Sequence, residues 1–212
     1  MKKPSPARPD AESRAFQYEA DAFREQGGLL RMSEALDRGV TRYALRTMES
    51  SGLLERLSRG VYRLVEGAGL EHPDLTAVAA RVPRAVICLI SALAFHELTT
   101  RIPHAVDIAL PRDATTTPRI DYPPVQVYRF SGLAYSEGLE AHVFGGVEVK
   151  VYSKEKSIAD AFKYRNKIGL DVALEALKGW CGTRGRNIDT LLAMARVCRV
   201  HNVMRPYLEA LA

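Results

Sequence analysis

The chain has 212 residues, of which 47% are hydrophobic and 26% charged, a composition that leaves room for one large globular domain or two small ones. Thirty Lys and Arg against 25 Asp and Glu give a formal net charge of +5, which permits an anionic partner without demanding one. Three scattered cysteines (Cys88, Cys181, Cys198) and a longest apolar run confined to 85–95 exclude a disulfide-stapled scaffold, a CxxC zinc pair and a membrane span, so a cytoplasmic protein is expected.

Residues 1–10, MKKPSPARPD, are basic and proline-rich with nothing to bury, and read as a disordered tail. Phe16, Ala20 and Phe23 then mark one face of a helix from Ala11 to Gln26, closed by Gly27 and Gly28. Ser33 is expected to cap a short helix through Arg38 that stops at Gly39. Thr41 is expected to cap another that stops at Gly52. Beyond it, Leu54–Leu57 and Val61–Leu64 form two short strands around a Ser58-Arg59-Gly60 loop, a hairpin in which Glu55 faces Arg63 while Leu54, Tyr62 and Leu64 share the other face.

A stretch of turn-forming residues at 65–73 places a linker at 67–73. After it, Pro73 opens a helix through Val82, and periodicity alone leaves the apolar stretch 85–98 as either helix or strand. Strands are expected at Ala105–Leu110, Val125–Phe130, His142–Phe144 and Val147–Tyr152, the last two joined at Gly145 and Gly146. Ser153 caps a helix to about Asn166, followed by helices near Leu170–Trp180, Ile188–Cys198 and the C-terminus. Strands followed by helices make the fold class α+β: a winged helix-turn-helix at 11–66, then a larger mixed α/β domain at 74–212.

The helix after Thr41 carries the functional signal. At about 100° per residue, Ala44, Leu45 and Met48 face the core, and Tyr43, Arg46, Thr47 and Ser50, flanked by Arg42, face outward. Long cationic and hydroxyl side chains so placed suit a recognition helix in the major groove of DNA. Arg56 and Arg59 on the hairpin suit phosphate contacts by a wing. Residues 28–64 hold seven arginines against four acidic residues, a modest net +3.

The ERLSRGVYRL hairpin, SALAFHELTTRIPHAVDIALPR (91–112), VKVYSKEKSIADAFKYRNKIGLDVALEAL (149–177) and ARVCRVHNVMRPYLEAL (195–211) together resemble the AbiEi family of type IV antitoxins. The resemblance implies a repressor of its own toxin-antitoxin operon, bound to double-stranded operator DNA at inverted repeats in its promoter. It also implies a C-terminal domain that antagonises a nucleotidyltransferase toxin without a stable complex.

Two further features invite a chemical reading. Lys154, Lys156, Lys163 and Lys167 form a second basic surface, the last three lining one face of the helix after Ser153; it serves either nucleic acid or solubility. In GVEVKVY, Glu148 and Lys150 share a strand face two residues apart, the E-x-K pair of metal-dependent nucleases, with Asp107 or Asp121 as the third member. That is the enzymatic alternative to the regulator. No cofactor motif is present, and the five histidines lie in no metal-binding spacing; His96 reads as a hydrogen-bonded histidine and Cys88 as core.

Overall fold

The computed structural model describes residues 16–65, 71–114, 120 and 122–211. The expected tail at 1–10, the start of the expected first helix, most of the expected linker and Asp121 lie outside the described residues.

Helix α1 (Gln17–Arg24) buries Ala20 and Phe23, with Phe16 packed on the same cluster. It ends as Gly27 and Gly28 take φ of 71° and 86°, where only glycine is comfortable. Next comes a strand the sequence did not announce, β1 (Leu29–Arg31). It feeds directly into α2 (Met32–Asp37), so Arg31, and not the expected Ser33, holds the N-cap position. The Arg31 N–H is satisfied at 2.8 Å by the Glu34 carboxylate.

Helix α3 (Arg42–Ser50) starts as expected: Thr41 Oγ1 accepts the Ala44 N–H at 3.0 Å. The hairpin of β2 (Leu54–Ser58) and β3 (Val61–Leu64) has the expected register, Glu55 opposite Arg63 and Leu54 opposite Leu64. Its loop is tighter than expected. Ser58 pairs with Val61, a bulge between Arg56 and Ser58 absorbs the spare residue, and Arg59-Gly60 makes the turn with Gly60 at φ 74°. The three strands lie in the order β1-β3-β2 and are antiparallel.

This small sheet is covered on both faces. Leu30, Leu54, Tyr62 and Leu64 pack with Phe23, Ala44, Leu45 and Met48 under the helices. On the opposite face Leu29, Leu57 and Val61 pack with Ala77 and Ala80 of helix α4 (Pro73–Arg81). The apolar stretch after it divides into β4 (Val86–Ile87) and α5 (Leu89–Phe95).

The larger sheet adds β5 (Val106–Pro111), β6 (Val125–Phe130), β7 (Leu139–Phe144) and β8 (Val147–Tyr152), with α6 (Leu133–Ser136) between β6 and β7. Its order is β6-β5-β4-β8-β7, with β5/β6 and β4/β8 parallel and the other pairs antiparallel. One face packs against α4 through Leu75, Val78 and Ala79. The other carries α7 (Lys154–Lys163), α8 (Arg165–Ile168), α9 (Leu170–Cys181), α10 (Ile188–Val197) and α11 (His201–Leu211), whose apolar faces close over Val86, Ala109, Phe130 and Tyr152. The molecule is α+β, as the sequence indicates.

Two features hold this arrangement in place. Lys156, expected on an exposed stripe, is fully buried. Its Nζ lies 2.5 Å from Asp160 Oδ2 one helical turn on, and 4.0 Å and 4.9 Å from the ring centroids of Tyr152 and Phe130. The β7–β8 hairpin also turns through Gly145 and Gly146, at φ 55° and 76°. There its backbone meets the end of α1: a Cβ on Gly146 would lie 2.4 Å from the Gln26 carbonyl oxygen.

Asp160→Ala leaves a buried ammonium unpaired and is expected to lower unfolding free energy by about 3–5 kcal/mol, whereas Lys156→Met/Asp160→Leu loses much less. Denaturant melts of the two variants give the comparison. Gly146→Ala adds φ strain of roughly 1–3 kcal/mol to the clash with Gln26, which a lowered melting temperature reports.

Candidate nucleic-acid interface

Because Ala44, Leu45 and Met48 anchor α3 in the core, its outer side is fixed by helical geometry. Arg42, Tyr43, Arg46 and Ser50 are exposed, Tyr43 to 76%, and Thr47 is half-buried. Arg42 and Arg46 stand one turn apart, so their stems run along one side of the helix. The two hydroxyls are turned inward. Thr47 Oγ1 donates to the Tyr43 carbonyl at 3.0 Å and Ser50 Oγ to the Arg46 carbonyl at 2.7 Å, which leaves their oxygen lone pairs as acceptors.

Arg56 and Arg59 are exposed on the hairpin, Arg59 within its turn. Among the described residues, no ionic or hydrogen-bonding partner engages the guanidinium groups of Arg42, Arg46, Arg56 or Arg59. Their neighbours differ: Arg63 is tied to Glu55, its Nε donating at 3.1 Å, and Arg38 donates to the Glu34 carbonyl at 3.3 Å. The face of the small sheet that meets α4 is opposite the one under α3, so the arginine-bearing side of α3 stays open to solvent.

The expected second basic surface loses one of its four members. Lys154, Lys163 and Lys167 are exposed, but Lys156 lies within the core. Tyr152, Phe130 and Asp160 occupy the side of α7 toward which Lys156 points, and together they accommodate its charge.

The nuclease triad is not assembled through Asp107. Glu148 and Lys150 are partly exposed and pair with each other at 3.3 Å. Strand β4 separates them from β5; Val86 lies opposite both Lys150 and Ala109, which sets Asp107 two residues farther along and two strands away. Its carboxylate is engaged locally, accepting the Ile90 N–H at 3.1 Å and a hydrogen bond from Tyr128. Burial pushes Asp107 up to about 6 and Tyr128 up to about 12. Asp121 lies outside the described residues, and among those described no three His, Cys, Asp or Glu side chains could hold a metal ion.

His96 donates through Nε2 to the Tyr152 carbonyl at 2.7 Å, and burial lowers its pKa. Cys88 is buried and its thiol is pushed well up by that burial. The sequence reading missed a concavity of about 820 Å³ lined by Arg112, Lys163, Arg165, Arg196 and Arg199. Three of these five cations, Arg112, Arg196 and Arg199, come from segments that carry no local charge run.

Residues 17–65, the stretch from α1 through β3, match the family model for a transcriptional regulator, the AbiEi antitoxin. No curated protein matches the chain. Within those limits the regulator rather than the enzyme reading is supported.

Asp107 carries a pH signature. Its folded-state pKa is raised above the unfolded value near 3.8, so the protonated form favours folding and stability falls as pH rises from about 4 through about 6. Asp107→Asn keeps an acceptor for Ile90 without the charge. Relative to this variant, the natural chain is expected to lose up to roughly 3 kcal/mol across that window, measured by denaturant unfolding at each pH.

Proposed function

We propose, from the match of residues 17–65 to the family model for the AbiEi antitoxin transcriptional regulator, that the chain is a DNA-binding repressor of its own toxin-antitoxin operon. Residues 11–66 serve as the winged helix-turn-helix and 74–212 as the effector domain that counters a nucleotidyltransferase toxin without forming a stable complex with it. The observation that carries this reading is the set of four arginines, Arg42, Arg46, Arg56 and Arg59, on one helix and its adjoining hairpin, which have no partner among the described residues.

The chemistry divides between the two elements. Arg42 and Arg46 on α3 donate to base edges in the major groove, where a guanidinium fits the two acceptors of guanine. Tyr43, the most exposed aromatic beside them, lies against the same groove wall. Thr47 and Ser50, their protons already given to helix carbonyls, accept from the amino groups of adenine or cytosine. Arg56 and Arg59 hold phosphates and so fix orientation without reading sequence.

Arg46→Ala is expected to reduce the preference for operator over random duplex by about 1–3 kcal/mol, roughly 5- to 150-fold. Arg59→Ala weakens both duplexes alike and flattens the log affinity against log salt plot by about 0.9. Gel-shift titrations at several salt concentrations separate the two, and identical behaviour of both variants would refute the division. For the effector role, co-expression with the nucleotidyltransferase restores growth while the two purified proteins elute separately; a co-eluting complex would contradict it.

A further inference from the structure

We propose that the cleft of about 820 Å³ between the end of β6 and the helical layer is a binding site for the phosphate groups of a nucleotide or of a nucleic-acid strand end. The proposal is independent of operator recognition by α3. Five cations line the cleft, Arg112, Lys163, Arg165, Arg196 and Arg199, and among the described residues no acidic one does. None of the five forms an ion pair among the described residues.

These cations come from four separate places, each fixed by its own backbone. Arg112 follows β5, and its N–H donates to the Phe130 carbonyl at 2.7 Å. Lys163 ends α7, and Arg165 begins α8 with Nη1 donating to the Phe162 carbonyl at 2.8 Å. Arg196 lies in the last turn of α10, and Arg199 follows its cap residue Cys198 at φ 59°, a conformation rare for any residue but glycine. Cations at helix C-termini are favourable in themselves, which accounts for Lys163 and Arg196 singly. It does not account for Arg112, Arg165 and Arg199 turning toward the same concavity.

Like charges brought together in a concave surface repel one another, and an anion with several oxygens relieves that repulsion while accepting several charge-assisted hydrogen bonds. Guanidinium forks suit phosphate oxygens in particular. The cleft is concave, which a double helix cannot fill, and its volume is that of a small-molecule site. Leu133, Val197 and Val200 supply apolar wall beside the cations. An apolar wall next to a cluster of phosphate-binding side chains fits a nucleotide: base on one side, phosphates on the other.

Isothermal titration of the full chain at low ionic strength uses three probes: ATP, pyrophosphate, and a short single-stranded oligonucleotide with a 5′-phosphate. Saturable binding of ATP or pyrophosphate identifies a free nucleotide as the source, and binding of the oligonucleotide alone identifies a strand end. In either case Arg112→Gln/Arg196→Gln is expected to weaken binding by about tenfold or more with an unchanged melting temperature, since both side chains are exposed. Arg46→Ala is expected to leave it intact, which separates this site from operator contact. No binding of any probe, or equal binding by the natural chain and the double variant, overturns the proposal.

Discussion

Solvent reaches neither the ammonium of Lys156 nor the carboxylate of Asp160, one turn apart on α7. Either charge alone in that position would cost several kcal/mol; each is tolerable because the other is there. Two aromatic faces, Tyr152 from β8 and Phe130 from β6, add to the binding of the ammonium. The Cys198 thiol donates to the free carboxylate oxygen at 3.1 Å, and burial next to that carboxylate pushes it up to about 12. Asp160 itself is raised, its burial outweighing the pull of Lys156. One polar cluster thus ties α7 to two strands of the sheet and to the end of α10. Lys163 at the tail of α7, and Arg196 and Arg199 on either side of Cys198, take their places around the cation-lined cleft from that same fixed point.

A second constraint operates at the other end of the molecule. A sheet has to bury its apolar faces against other elements, and this three-stranded one is covered twice, by α1–α3 on one face and by Ala77 and Ala80 of α4 on the other. The outer side of α3 is what remains uncovered. Among the described residues the arginines there have no acidic partner, whereas Arg63, on the side of the sheet that meets α4, is paired with Glu55. The pattern of which arginines are engaged follows from which surfaces are packed.

What the sequence made legible was local. Thr41 as a cap, the inward side of α3, the Glu55–Arg63 pairing and the Gly145-Gly146 turn each depend on residues a few positions apart, and each is found. What it concealed was decided at long range. The three residues of β1 are a strand because β3, some thirty positions later, pairs with them, and without that knowledge Ser33 looked like the start of a helix. Lys156 shares a helical side with Lys163 by spacing, yet its exposure was settled by Tyr152 and Phe130 on the sheet beneath. Its partner Asp160, at i+4, was a visible hint, but it is equally the mark of an exposed pair. The cleft was hidden most completely, since Arg112, Arg165, Arg196 and Arg199 come together only once β5, α8 and α10 are packed.

Where the β7–β8 hairpin meets the end of α1, main chain rests on main chain, with Gly27 and Gly146 leaving no room for even a methyl group on either side. Ordinary joints between packed elements contain side chains that can hop between rotamers and so cushion small shifts. This joint has no such cushion. A displacement of the hairpin by a few tenths of an ångström is passed directly to the end of α1, whose Phe23 packs in the same cluster as the inner side of α3.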